Sequence, residues 1–371
     1  MPIPMPGPMR ATRLAALGLA AAGGLGLLAA LDLGLAAMAD AGPYAPARVA
    51  DSDLARARAY LAANLAPLPD GWAWTDVAGE DARLRMGHAG LEDAAAVVLF
   101  VPGFTSTAEL YAETYADWRA DGFGVAALDL PGQGGSERRA DDPEKPWAHP
   151  HSANVLHAYG RAVRDGVRAL AAMTDAPIVL VGESLGGHAA LRAAADHDLP
   201  VAALVLEVPG IEATLPRGTE AVTGLLSRLG YRDAYGPGQG RWARTVFDAP
   251  YDAARCGDRD DRRFLLGAMY AVNPALRVGG PSNGWIADFQ ASGRQLREPG
   301  ALDRVTVPVL TILAGRDVIV ENAAAEEACA NLADCRTVTI EDATHCLPAE
   351  DEAVRAEAAR LVTEVARAAS G

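Results

Sequence analysis

The residues with the clearest chemical potential lie in the run Ile178-Val179-Leu180-Val181-Gly182-Glu183-Ser184-Leu185-Gly186-Gly187. An apolar stretch leads straight into G-x-S-x-G, and a helical stretch of Ala189, Ala190, Leu191 and Ala193 to Ala195 follows. A strand that turns sharply into a helix lifts the Ser184 hydroxyl above the edge of a sheet. Glycines at 182 and 186 let that turn close, because side chains there would collide across it. The helix N-terminus behind the serine favours negative charge developing in front of it. Ser184 is therefore the candidate nucleophile, with Gly182 and Gly186 as the elbow glycines.

A serine hydroxyl needs a base, and the base needs a group to orient it. After an elbow of this kind the expected chain order is serine, acid, histidine. An apolar run at 307–313 leads into Ala314-Gly315-Arg316-Asp317, which places Asp317 on the loop beyond a buried strand. The next strand candidate, 336–340, leads into Glu341-Asp342-Ala343-Thr344-His345. Asp317 and His345 are the candidate acid and base, and Asp342 is a weaker acid on the histidine's own loop. Acyl transfer also requires two backbone N–H donors for the oxyanion. Leu185 supplies one. The second is Phe104, in Val101-Pro102-Gly103-Phe104 at the end of the third strand candidate. Asp129 also ends a strand candidate but lacks elbow glycines, so it reads as a turn residue.

These residues need a sheet to hold them. Short apolar runs at 95–101, 124–130, 178–181, 202–206 and 307–313 have the character of buried parallel strands. Residues 72–77 and 82–88 read as an opening hairpin, and 336–340 as a last strand. Val155, Tyr159, Val163, Val167 and Leu170 trace one helical face, as do Val354, Ala358, Leu361 and Val365. Strand and helix alternate, which implies a mostly parallel eight-stranded sheet covered on both faces. A short helix at 51–65, capped by Asp51 or Ser52, precedes it.

Residues 209–300 break the rhythm. They are rich in Gly, Arg and Asp and carry Tyr231, Tyr235, Trp242, Phe247, Tyr251, Phe264, Tyr270 and Trp285. We read them as a helical lid inserted after strand six. Their aromatics suit either an apolar pocket, with Trp242 and Trp285 as candidate lining, or the insertion's own core. The chain thus divides into a leader (1–39), a linker with a short helix (40–71), a first core part (72–208), the insertion (209–300) and a second core part (301–371).

In the leader, Arg10 and Arg13 precede an apolar run from Leu14 to Leu31, and Ala37-Met38-Ala39 follows. This is the pattern of a signal peptide, with an uncleaved membrane anchor as the rival. Either places the catalytic part outside the cytoplasm, in the periplasm if the source is bacterial, and an anchor would associate the chain with a membrane. The net charge of −15 argues against nucleic acid as a partner. Four cysteines, Cys256, Cys329, Cys335 and Cys346, lack zinc spacing. Cys329 and Cys335 either pair or pack as small buried residues. Cys346 is either reactive or simply packed. His149, His151 and His157 match no ligand spacing, so no metal is expected.

The chain resembles the bacterial lysophospholipases related to monoacylglycerol lipases, within the α/β hydrolases. The resemblance is carried by Gly103-Phe104, by Asp129-Leu130-Pro131-Gly132-Gln133-Gly134-Gly135-Ser136, by the elbow around Ser184, by Arg277-Val278-Gly279-Gly280-Pro281 followed by Trp285, and by Thr344-His345. Glu183 stands where many such proteins have histidine, and Cys346 where a glutamate is expected. The resemblance implies an α/β-hydrolase fold and cofactor-free hydrolysis of lysophospholipids or monoacylglycerols through an acyl-enzyme. The triad alone leaves open a small-molecule esterase or a peptidase. A non-catalytic binding protein on the same scaffold is the third possibility, and the intact trio argues against it.

Overall fold

The computed structural model describes residues 47–138, 155–242, 256–257, 262 and 264–371. The leader (1–39), His149 and His151 lie outside them. Among the described residues, no helix is long and apolar enough to cross a membrane.

Eight strands form one sheet in the order β1-β2-β4-β3-β5-β6-β7-β8. They are β1 (Ala73–Ala78), β2 (Arg83–Ala89), β3 (Val97–Val101), β4 (Gly124–Leu128), β5 (Ile178–Glu183), β6 (Ala203–Glu207), β7 (Val309–Ala314) and β8 (Cys335–Ile340). β2 runs antiparallel to β1 and β4, and the other pairings are parallel. This is the mostly parallel eight-stranded sheet expected from the strand and helix pattern, in the α/β-hydrolase arrangement that the resemblance implies. β3 and β5 are buried along their whole length, which their unbroken apolar sequence allows.

Period-two alternation sorts the strand side chains onto two faces. Val97, Leu99 and Val101 face one layer with Leu180 and Leu204, against α3 (Val155–Ala171) and α4 (Leu185–Asp196). Val98 and Phe100 face the other with Val179 and Val205, against α2 (Ala112–Ala120) and α9 (Glu352–Ala369). α9 is capped by Asp351, which accepts the Val354 amide. The leading helix α1 (Asp51–Asn64) begins where expected, but neither Asp51 nor Ser52 caps it. Ala50 occupies the cap position, and Asp51 and Asp53 instead lie in the first turn, where they complement the helix dipole.

Between β6 and β7 the described residues form α5 (Thr219–Leu226), α6 (Leu265–Val272) and α7 (Asn283–Leu296). α8 (Asn322–Ala330) lies between β7 and β8. Cys329 and Cys335 form a disulfide between the end of α8 and the start of β8. Cys256 and Cys346 form a second disulfide, with Cα atoms 4.5 Å apart across 90 residues of sequence. Cys346 is therefore neither a reactive thiol nor a plain packing residue. It ties the loop after β8 to the insertion.

Candidate active site

Ser184 sits at the junction of β5 and α4 with φ 53° and ψ −115°, a left-handed φ that the tight turn imposes. The turn closes on its glycines. A Cβ at Gly186 would run into the Val101 carbonyl, and one at Gly182 into the Gly186 carbonyl. The Ser184 amide donates to the Glu207 carbonyl of β6 at 2.9 Å, so the elbow is pinned to the neighbouring strand.

The structure brings the three sequence candidates together. His345 Nε2 lies 2.8 Å from Ser184 Oγ, and His345 Nδ1 lies 2.7 Å from Asp317 Oδ2. With the proton on Nδ1, Asp317 accepts it and Nε2 is left to accept from the serine. The other Asp317 oxygen accepts the amides of Ile319 at 2.8 Å and Val320 at 3.0 Å. The Asp317 side chain has no solvent exposure, so three donors compensate its burial. The loop that carries it is held by an isolated bridge between Ala213 and Val320 and by Thr214 N–H donating to the Ile319 carbonyl at 2.9 Å. Asp342 is exposed, and the histidine's Nδ1 bonds Asp317 instead.

The histidine loop is fastened on both sides of His345. Thr344 N–H donates to Glu350 at 2.7 Å, and the Thr344 hydroxyl donates to the same carboxylate. That hydroxyl accepts the Gly257 amide at 2.9 Å, and Cys346 is bonded to Cys256. Sequence reading missed this arrangement, since 90 residues separate the two cysteines.

Leu185 opens α4, where an N–H has no intrahelical acceptor, and Phe104 follows Gly103 in the turn after β3. Among the described residues no backbone hydrogen bond takes the Phe104 amide. Asp129 is wholly buried and serves the turn after β4. It pairs with Arg85 and accepts the amides of Ala108 at 3.0 Å and Gly135 at 2.8 Å.

A cavity of about 250 Å³ opens beside the triad. Its described lining includes Ser184, His345, Phe104, Leu110, Leu266, Ile319 and the Cys256–Cys346 disulfide. Trp242 and Trp285, expected as pocket residues, are not part of that lining. Trp285 stacks on Phe289 with ring centroids 5.0 Å apart, packs against the outer side of Phe104 at 4.7 Å, and donates to the Tyr159 hydroxyl. Trp242 lies under the Arg277 guanidinium at 4.1 Å. Trp285 joins the main core beside Tyr159 and Phe104, and Trp242 packs with Ala57 and Leu61 of α1, so both rings are taken up by packing. A more open hollow of about 860 Å³ on the insertion, lined by Leu225, Arg228 and Ala287 among others, holds none of the triad.

Burial governs the electrostatics beneath the site. It raises the Glu183 carboxyl, against the lowering effects of the Tyr111 hydrogen bond, His345 and the Gly103 amide. It also pushes Glu207, the neighbour of Glu183 in register, up to about 8, with the Glu183 charge adding to the shift. His188, in α4, is lowered to about 4 by burial. Its ring bonds the Gly210 carbonyl at 2.9 Å and Ser292 of α7 at 2.7 Å, which joins the helix behind the nucleophile to the insertion.

Residues 92–352 match the family described as serine aminopeptidase, S33. The chain belongs to this family. It is also 26% identical to a lysophospholipase of Escherichia coli, over 83% of this chain and 92% of that protein. Among solved structures, a monoglyceride lipase from Saccharomyces cerevisiae superposes with a TM-score of 0.62 at 16% identity, covering 82% of this chain and 96% of that one. A thermostable carboxyl esterase from Bacillus coagulans superposes at 0.63 and 16%, covering 82% and 100%. The resemblance read from the sequence to α/β hydrolases of the lysophospholipase and monoacylglycerol lipase kind is borne out, and the chain is a hydrolase.

Proposed function

We propose that the protein hydrolyses carboxylic esters of single-chain lipids, lysophospholipids or monoacylglycerols, with Ser184 as nucleophile, His345 as base and Asp317 as its orienting acid. The hydrogen-bonded chain from Ser184 through His345 to Asp317 beside an apolar cavity carries this reading. In it, His345 Nε2 takes the Ser184 proton as Oγ attacks the ester carbonyl. Asp317 stabilises the imidazolium that forms. The Leu185 and Phe104 amides receive the oxyanion. The imidazolium then protonates the leaving alcohol, and water deprotonated by His345 releases the fatty acid and frees the serine.

The cavity lining suits an acyl group, with Phe104, Leu110, Leu266 and Ile319 on it. At about 250 Å³ the cavity falls just below the roughly 300–1,000 Å³ common for small-molecule sites. The names of the Escherichia coli and yeast relatives point to the same substrate class. The site of action we propose is outside the cytoplasm. The arginine-flanked apolar leader supports this, as do two disulfides, which persist in oxidising compartments.

The test is labelling with a fluorophosphonate probe, followed by a panel of lysophosphatidylcholine, monoacylglycerols, diacylglycerophospholipid, short esters and aminoacyl amides. We expect labelling that Ser184→Ala abolishes, and turnover that favours the single-chain lipids. Preferential cleavage of aminoacyl amides, or no labelling of the wild type, would overturn the proposal.

A further inference from the structure

The loop that carries Phe104 makes no covalent contact with the triad, yet it is gripped from three directions. Gly103 and Phe104 share one planar peptide group, so the Gly103 carbonyl and the Phe104 N–H point in opposite directions. Whatever holds that carbonyl also aims that N–H. The Gly103 carbonyl accepts from Gln133 Nε2 at 2.7 Å and from the Ser106 amide at 3.2 Å. The same Gln133 side chain accepts the Thr105 amide through Oε1 at 3.1 Å, so one buried amide brackets the Phe104 residue on both sides. Thr105 has a φ of 64°, a left-handed conformation that β-branched residues rarely adopt. The Tyr270 hydroxyl holds its carbonyl at 2.5 Å.

Glu183 lies against the peptide group just before. Its carboxylate accepts the Tyr111 hydroxyl, and Tyr111 also lies 3.1 Å from the Ser106 hydroxyl. A methyl group at Gly103 would sit 2.9 Å from Glu183 Oε2 and 3.2 Å from Ser184 Cβ. The loop is thus packed directly against the nucleophile's backbone.

We propose that Gln133 and Glu183 are positioning residues that aim the Phe104 N–H at the oxyanion: Gln133 fixes the peptide that carries this donor through its two hydrogen bonds, and Glu183, steadied by Tyr111, backs the one before it by packing. Neither touches the reacting atoms. The inference rests on the serine mechanism proposed above and adds to it the source of the donor's orientation. A pre-aimed donor needs no reorganisation as charge develops, so the benefit belongs to the transition state and not to substrate binding.

The experiment compares Gln133→Glu, Gln133→Leu, Glu183→Ala and Glu183→Gln in the full chain. Each variant is assayed for kcat and KM on a monoacylglycerol, for inhibition by a trifluoromethyl ketone analogue, and by thermal melting. Gln133→Glu keeps the shape but loses the donor to the Gly103 carbonyl. We expect kcat to fall about 100-fold, the size of losing one oxyanion donor, with KM changed less than about threefold and the ketone's affinity falling in parallel with kcat. Glu183→Gln keeps the packing against Gly103 and an acceptor for the Tyr111 hydroxyl and retains most of kcat, whereas Glu183→Ala loses both. If Gln133→Leu or Glu183→Ala fails to fold, the near-isosteric Gln133→Glu and Glu183→Gln decide. Overturning results are a wild-type kcat in Gln133→Glu, or losses that appear in KM and melting temperature while the ketone's affinity holds. A wild type that the fluorophosphonate does not label is a separate outcome, one that defeats the parent mechanism along with this inference.

Discussion

The sheet edge and the insertion meet at the same cavity but are built on different rules. At the sheet edge, Ser184 follows directly on β5, Asp317 three residues past β7 and His345 five residues past β8. The ladder of backbone hydrogen bonds between adjacent strands sets where those side chains begin, and local bonds such as Ile319 N–H to Asp317 fix where they point. Among the described residues, the insertion has no strand in that ladder. Trp285 packs onto Phe289 and Trp242 onto Arg277, and the insertion reaches the site through separate contacts. They include Ala213 on Val320, Thr214 on Ile319, Trp285 on Phe104, Tyr270 on Thr105, Gly257 on Thr344, Ser292 on His188 and the Cys256–Cys346 disulfide. The difference teaches that chemistry and containment are separable here. Damage at the sheet edge should strike kcat, and damage in the insertion should strike KM and stability.

Substitutions in the triad probe the first half of that comparison. Ser184→Ala should cost about 10⁴-fold or more in kcat, and Asp317→Asn about 10³- to 10⁴-fold, because the imidazole loses its orienting acceptor. Steady-state kinetics alongside melting curves check both, with the fold expected intact. A loss in KM alone would remove the distinction. The second half is tested by Cys256→Ser combined with Cys346→Ser. Opening this long-range link should lower stability by about 2–4 kcal/mol, read by denaturant titration. KM for the lipid ester should rise severalfold, with kcat changed less than about threefold. A collapse of kcat would mean that the disulfide holds His345 itself in place and that the insertion belongs to the chemistry.

The smallest effect concerns Glu207, buried where the two regions' supports meet. Its carboxyl is pushed up to about 8 by burial and then by Glu183, so it is neutral in the fold at a pH where the unfolded chain carries it charged. Its contribution to stability is fully present below the unfolded value and is lost as pH rises through about 8. Glu207→Gln should therefore melt near the wild type at about pH 5 and a few degrees above it at about pH 9. Parallel curves at both values would show that Glu207 does not titrate in this range.

Legibility in the sequence follows the same divide. The elbow could be read because its constraint is local: Gly182, Ser184 and Gly186 lie within five positions, and only glycine leaves the Val101 and Gly186 carbonyls unobstructed. The strands could be read because β3 and β5 are apolar throughout, as burial on both faces requires. The direction of Trp242 and Trp285 could not be read. An aromatic suits a pocket wall and a packed interior equally well, and only the neighbours that arrive from α3, α7 and the Arg277 segment decide between them. The use of Glu183 was equally hidden. It was visible as a departure before Ser184, but its donor Tyr111 and its packing partner Gly103 are remote in sequence.

What the order of residues settled by itself was the fold class, the eight strands to within a few residues at their ends, and the candidate trio carried beyond three of them, because short-range sterics and apolar periodicity act between near neighbours. Tertiary structure alone decided the wall of the cavity, the pairing of Cys256 with Cys346 and the grip of Gln133 and Glu183 on the Phe104 loop. Each of those depends on groups far apart along the chain, and their meeting is a property of the packed sheet and its layers, which no local pattern records.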